Sequence, residues 1–398
     1  MSARYTIGFA KEQFRISPHD FPLENYVDFN SPLYVRCFVL KGDPSLSLLS
    51  VEMTSLPTWA IKRLQKTVSS ITEIPVKNIW ISVTHSFSSP HLPNDEKRDP
   101  HRYHVIWEAL KKSVQAAVVQ ANRAQQSFTL GRGVIQCPVN VNRNVQTRQG
   151  WWLGRNFDEY SNHEVRVFAF KLANGQMSLL FNYDLQSSVF DHLSDQSGMM
   201  HIDHDLVGEA AAMFEAKRPG SIGIFLPGAA GDQRPLLIGS RGTTRDQNQW
   251  LCTQQAKILK ECLEQVVQNI QNWQQLYQVS SFQSDFKVPQ KTTKVETFKL
   301  KPKSKAHFTN LDRSLSISLN GWHFNDWTIL GTQPELNSAF GEKCRKQLHD
   351  DHAMLATLIN GAIKYLPEQK DFDRITYQAQ NAFIGIGADQ IFLQNLKK

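Results

Sequence analysis

The sequence predicts an α/β fold, mixed β-sheets covered by helices, on two observations. Short apolar runs rich in β-branched residues recur along the chain, and between them lie segments whose apolar positions return every three to four residues. That alternation favours helices layered on sheets. With 398 residues, 41% of them hydrophobic and 20% charged, the chain has the composition of a globular protein that can bury one large core or two modest ones.

In chain order, Tyr34–Leu40 and Leu48–Met53 read as strands, Thr58–Ser70 as a helix and Ile79–Val83 as a strand. His104–Gln125 has helical periodicity, Val165–Phe170 and Ser178–Asn182 are strand-like, Leu206–Ala216 returns to the helical period, and Ile222–Leu226 is again an apolar strand. A long helix is predicted over Gln247–Tyr277. The Lys- and Thr-rich stretch from Ser280 to Lys305 follows it and is the best candidate for a subdomain boundary, near 280–305. Beyond it come strands at Leu315–Leu319 and Trp327–Leu330 and a helix at Ser338–His349. Candidate site residues lie on both sides of the boundary, so residues 1–398 are expected to act as one unit.

Several function classes are excluded at this level. No run approaches the roughly 18–20 apolar residues of a membrane helix, so stable membrane insertion is not expected. The N-terminal segment has no apolar core of the kind a secretion signal needs, which points to the cytoplasm. Cys37, Cys137, Cys252, Cys262 and Cys344 show no paired spacing and read as reduced thiols. The formal charge of +7 is dispersed, and its densest group, Lys299 to Lys305, reads as a solvated strand edge or loop. Without a phosphate-binding loop, zinc-finger spacing or aromatic–basic interleaving, nucleic acid is not an expected partner; a small-molecule substrate is. Oligomeric state leaves no signal.

The residues that could carry chemistry cluster around predicted strand ends. His85 follows Ile79–Val83 and precedes a Ser/Pro-rich loop, while Glu335, Tyr365 and Tyr377 follow the strand at Trp327–Leu330. Imidazole, carboxylate and phenolate are all zinc ligands, and a catalytic zinc keeps a position open for water. A plain hydrogen-bonded histidine is the alternative reading of His85. Phe225-Leu-Pro-Gly-Ala-Ala-Gly-Asp-Gln-Arg-Pro235 is a strand entering a turn of small residues, where Asp232 and Arg234 either line a pocket or fix the turn. In His201-Ile-Asp-His-Asp205 the residues either support or cap the next helix or ligate a metal. Arg143, in Asn140-Val-Asn-Arg-Asn144, is either an anion-binding group or part of a solvated loop, and the downstream Trp151–Trp152 pair either walls a pocket or packs in the core.

Taken in order, these segments resemble the N-terminal catalytic domain of the neutral/alkaline (non-lysosomal) ceramidase family, from Tyr34 to the C-terminus. Thr84-His-Ser-Phe-Ser-Ser-Pro90 is similar to the family's T-H-T-H-S-G-P segment, Asn142-Arg143 to its N-R pair, Thr332-Gln-Pro-Glu-Leu-Asn-Ser-Ala-Phe-Gly341 to its P-G-E segment, and Asn360-Gly-Ala-Ile-Lys-Tyr-Leu-Pro367 to its N-G-x-x-x-Y segment. The resemblance implies that His85, Glu335 and Tyr365 are zinc ligands and that Arg143 and Tyr377 stabilise a tetrahedral oxyanion. The family's second zinc histidine aligns with Asp184, which could complete the shell; His201 and His204 are reserve ligands. Zn2+ is the implied cofactor, with another divalent metal the alternative for so acidic a set.

Phe87 replaces the second histidine of T-H-T-H, and Gly228 replaces a serine of the family's S-N-A-G-D segment; with Asp232 they are expected to shape the substrate pocket. The chain reads as the catalytic part alone, without the family's C-terminal immunoglobulin-like domain. The resemblance therefore implies a metal-dependent hydrolase of an amide or ester bond in a soluble substrate other than ceramide. The alternative is a degenerate pseudoenzyme that binds a small molecule or a protein.

Overall fold

Strands buried on both faces are apolar at nearly every position, whereas strands with one wet face alternate. The first kind builds the centre of this protein. The computed structural model describes residues 5–191, 193–195, 198–239, 243–295 and 306–396. Its first sheet has the order β1 (Thr6–Phe14), β3 (Leu33–Lys41), β4 (Leu46–Val51), β5 (Ile79–Val83), antiparallel except for the β4–β5 pair. That parallel pair is joined through helix α1 (Thr58–Thr72), and α2 (Pro100–Arg123) packs beside it. A second sheet runs β12 (Gly223–Pro227), β10 (Met177–Tyr183), β9 (Glu164–Leu172), β6 (Phe128–Gln136), its parallel β10–β12 pair connected by α3 (Asp205–Lys217).

Period-two alternation sorts the side chains between two cores. Val35, Cys37 and Val39 of β3 face α1 and α2, where Leu64, Leu110 and Val114 meet them. Phe38 and Leu40 face the other way, toward Phe168 and Phe170 of the second sheet. The outer face of that sheet, with Val167, Ala169 and Phe181, is covered by α3 and by α4 (Arg245–Asn269). Helix, sheet, sheet and helix thus stack as four layers.

A third sheet completes the structure. Strands β14 (Val279–Val295) and β15 (Ala306–Phe324) form a long antiparallel ribbon, followed by β16 (Trp327–Thr332) and, parallel to it, β18 (Met354–Ala356). Helix α5 (Ser338–Gln347) lies between β16 and β18 in the chain, and α8 (Ala388–Leu396) packs with it, Phe392 against Phe340, over Ile317 and Leu330. Smaller pairings carry the functional loops: β13 (Gln233–Pro235) with β7 (Asn140–Thr147) and β8 (Gly150–Asn156), β2 (Tyr26–Phe29) with β11 (Met200–Ile202), and β17 (Glu335–Leu336) with β19 (Tyr365–Leu366). Short helices α6 (Gln369–Arg374) and α7 (Tyr377–Asn381) follow the last pair.

The α/β class and each helix and strand expected from the sequence are present, with differences at some boundaries. The helix expected over Gln247–Tyr277 stops at Asn269, and Gln274 instead bridges to Leu130 at the edge of the second sheet. The cause is visible in the packing: Ile270 joins the core under α4 whereas Leu276 joins the core between the sheets, and one helical stripe could not serve both. Of the polar stretch 280–305, residues up to Val295 belong to β14; Lys299 to Lys305 lie outside the described residues. No helix is long and apolar enough to cross a membrane among the described residues.

Candidate functional site

Five segments meet beside the C-terminal end of β5. His85 follows that strand in left-handed backbone (φ 58°), which aims its ring back across the loop. Its Nδ1 lies 2.7 Å from the carbonyl oxygen of Thr54. A carbonyl can only accept, so Nδ1 carries the hydrogen, and in the neutral ring Nε2 presents its lone pair. That Nε2 is buried, has no hydrogen-bond partner, and stands 3.3 Å from Oε2 of Glu335.

Glu335 and Tyr365 are brought together by backbone pairing. They are direct partners in the parallel β17–β19 ladder, locked by a 2.9 Å hydrogen bond from Glu335 N–H to the Lys364 carbonyl. Both side chains therefore project to the same side. Burial pushes the Glu335 carboxyl up, but His85 in its protonated form, Arg143 and a 3.0 Å hydrogen bond from Gln186 Nε2 outweigh it and hold it below the usual range. Burial and the Glu335 charge push the Tyr365 phenol well above its ordinary value, against the opposing pull of Arg143.

Arg143 sits behind these groups. Its Nη1 donates to Gln186 Oε1 (3.1 Å), and its Nη2 donates to Tyr365 Oη (3.1 Å) and to the Gly231 carbonyl (2.6 Å). The guanidinium lies 5.3 Å from the Tyr377 ring centre and 5.9 Å from that of Tyr365. Beside it is a cavity of about 700 Å³, lined by His85, Glu335, Tyr365, Tyr377 and Phe87, and by Lys364 and Arg102 among its charged groups. The Phe87 ring meets the His85 ring edge-on at 4.7 Å.

The structure therefore brings His85, Glu335, Tyr365, Tyr377 and Phe87 to one cavity, with Arg143 in contact from behind. Arg143, expected from the resemblance to stabilise an oxyanion, is not among the cavity-lining residues, and its guanidinium bonds Gln186, Tyr365 and Gly231.

Asp184 is also elsewhere, which corrects its expected place among the ligands. It is 1% exposed and ion-paired to Arg345; Oδ1 accepts from Ala229 N–H (2.8 Å), and Oδ2 accepts from Ser338 Oγ (2.9 Å) and Arg345 Nη1 (3.2 Å). A carboxylate so fully engaged has no lone pair to turn toward His85.

Gly228 and Asp232 do not line the cavity either. A side chain at 228 would meet Asp184 Oδ1 at 2.2 Å, so glycine is a packing requirement there. Asp232 fixes its turn, accepting from Ser338 N–H (2.8 Å) and Asn142 Nδ2 (2.9 Å). His201 bonds Asp28 and Asp195, and His204 bonds Glu209 at 2.9 Å; neither reaches the site.

Gln186 is the site residue that the sequence reading missed. It bridges Arg143 to Glu335 at 1% exposure. An amide has neither charge nor a ligand spacing, and its nearness to the end of β10 is the one signal that could have drawn attention to it.

A metal can be tested against these groups. Among the described residues no three His, Cys, Asp or Glu side chains form a cluster that could hold one. The third donor that the resemblance implies is the Tyr365 phenol, which lines the same cavity and whose oxygen accepts from Arg143 Nη2. Two ligands at about 2.0–2.2 Å from a tetrahedral zinc stand roughly 3.3–3.6 Å apart. The unpartnered His85 Nε2 stands 3.3 Å from Glu335 Oε2, so this pair has the separation of two ligands on one such ion.

No family model matches the sequence, and no curated protein does. Among solved structures, the crystal structure of neutral ceramidase from Pseudomonas aeruginosa is similar with a TM-score of 0.78 at 12% identity, over 100% of this chain and 74% of that one. A structure described as ceramidase complexed with C2 gives the same values, a TM-score of 0.78 and 12% identity. At that identity the likeness is one of fold, and the fold is neutral-ceramidase-like.

Proposed function

We propose that this chain is a ceramidase-like hydrolase of amide bonds in a small, polar substrate, with ester bonds the related alternative. The observation that carries the reading is the buried, unpartnered Nε2 of His85 facing Glu335 Oε2 at 3.3 Å. Two lone-pair donors turned toward one another inside a protein are repulsive unless a cation or a proton lies between them. His85, Glu335 and Tyr365 would hold a divalent metal, zinc by its ligand types. When bound, such a metal supplies Lewis acidity toward a carbonyl oxygen and a water of lowered pKa.

The remaining roles belong to the chain itself. Tyr377 lines the cavity beside Tyr365, with ring centres 6.0 Å apart, and its hydroxyl is the donor available to a developing oxyanion. Arg143 holds Tyr365 and Gln186 in place, and Gln186 anchors Glu335. Phe87 excludes water from one side of the imidazole.

One observation favours a second reading, a binding module without metal. Gln186 Nε2 donates to the same oxygen of Glu335, Oε2, that faces His85, and Asp184 is committed to Arg345, so among the described residues no further anionic or imidazole ligand reinforces the three donors.

Elemental analysis separates the two. Near-stoichiometric zinc that is lost in a His85→Ala, Glu335→Ala double variant, with chelator-sensitive release of amine from N-acyl compounds, supports the hydrolase. Absence of metal after zinc is supplied, with no turnover, leaves the binding module.

A further inference from the structure

The cavity has a charged wall that neither the metal donors nor the oxyanion groups account for. Lys364 immediately precedes Tyr365, and its carbonyl accepts the Glu335 N–H, so the position of its backbone is set by the same ladder that assembles the site. It holds left-handed backbone (φ 62°), as do His85 and Leu358 on the same cavity. For non-glycine residues that conformation is uncommon and concentrates where function over-determines it. Lys364 is exposed and is one of the residues lining the cavity, and among the described residues it makes no ion pair with a carboxylate.

Arg102, from the first turn of α2, lines the same cavity. It is ion-paired to Glu24 through Nη1 and lies 3.3 Å from Asp99 Oδ2 through Nε. Its Nη2 hydrogens make no bond among the described residues. Glu24 is also shared with His91, 3.3 Å away. The cavity lining therefore includes one unneutralised lysine and one guanidinium with a spare edge. That set suits a single negative charge, and it is too sparse for a phosphate dianion, which takes several charge-assisted bonds.

We infer that this wall is a carboxylate subsite, and that the substrate class is the N-acyl amino acids. The inference rests on the amide-hydrolase reading and gives it a substrate. Consecutive Cα atoms are about 3.8 Å apart, so a cation on the residue next to Tyr365 can reach a charge only a few bonds from the amide. In an N-acyl amino acid the carboxylate lies two bonds from the amide nitrogen. Phe87, Met200 and Leu358 supply apolar surface in the same cavity for the amino-acid side chain.

The test is calorimetric binding of N-acetyl-L-leucine and of its uncharged isostere N-acetyl-L-leucinamide to the full chain, with amine release measured in parallel. The wild-type protein should bind the acid at least tenfold more tightly than the amide, with the preference falling as salt is raised. In Lys364→Met the ratio should fall to about one, and in Lys364→Arg it should return. Equal binding of acid and amide by the wild type, no binding of either, or a preference that survives Lys364→Met would overturn the subsite. Hydrolysis of both compounds at equal rates and affinities would sink the subsite and keep the amidase. Carboxylate-selective binding without hydrolysis would do the reverse.

Discussion

Asp184 offers the sharpest test of how this site is built, because the ligand role implied by resemblance and the packing role seen in the structure predict opposite outcomes for Asp184→Asn. The carboxylate is 1% exposed, the Arg345 side chain is 5% exposed, and the pair is completed by Ala229 N–H and Ser338 Oγ. Substitution by asparagine keeps the shape but strands a buried guanidinium and turns an NH2 group toward donors. Breaking one side of such a pair costs about 3–5 kcal/mol. The change should appear as a lower urea midpoint at unchanged slope. Adding Arg345→Met removes the stranded charge, so the double variant should lose less than the two single losses combined. Zinc content per folded chain should stay at the wild-type level in both. A stable Asp184→Asn protein, within about 1 kcal/mol of wild type, that had lost its metal would refute the packing role and restore Asp184 as a ligand.

Other expectations are independent of that pair. Gly228→Ser places a Cβ 2.2 Å from Asp184 Oδ1 and 2.9 Å from the Tyr183 backbone, which cannot yield as a flexible side chain could, so a loss of about 2–3 kcal/mol in urea denaturation is expected. Asp371, in the first turn of α6, is pushed up to about 7 by burial and by the Asp232 and Glu368 charges, against the Glu368 backbone N–H and Lys370. The native state then holds a proton that the unfolded chain releases near pH 4, and this group's contribution to stability falls as pH rises from about 4 to about 7. Asp371→Asn removes that dependence: relative to wild type it should be more stable at pH 8 than at pH 4, by a few kcal/mol at most, and a gap independent of pH would contradict the assignment. Arg143→Ala should lower amide turnover about 10–100-fold with partial recovery in Arg143→Lys; unchanged turnover would exclude its positioning of Tyr365.

What the sequence could reveal followed the physics of burial. Strands β3, β4, β5, β9, β10 and β12 lie between packed layers and announce themselves as apolar runs. The long β14–β15 ribbon is more polar than apolar in composition, and only its Leu315–Leu319 stretch read as strand. β7 escaped for another reason: Asn140, Asn142 and Asn144 are buried in it, satisfied by hydrogen bonds such as those to the Asn162 and Tyr160 carbonyls, and a buried polar strand mimics a loop in composition. At the site, His85, Glu335, Tyr365 and Tyr377 were legible as ordered motifs, because ligand-type residues followed strand ends. Gln186 was not.

The confusion of Asp184 with a ligand has a local cause and a distant one. Period-two counting holds only to Tyr183, where β10 ends; Leu185 N–H then bonds back to the Tyr183 carbonyl at 2.8 Å, a tight turn that sends Asp184 toward α5 and leaves Gln186 beside Glu335. Alignment by strand alone cannot see past that turn. The distant cause was readable. Ser338 and Arg345 are seven residues apart on α5, hence on one helical face, and both bond Asp184 while Phe340, Gly341 and Cys344 are buried around them. An arginine on the buried face of a short helix demands a buried anion. A carboxylate at the end of a core strand has two ways to be neutralised, by a metal or by such an arginine, and the presence of Arg345 decides between them.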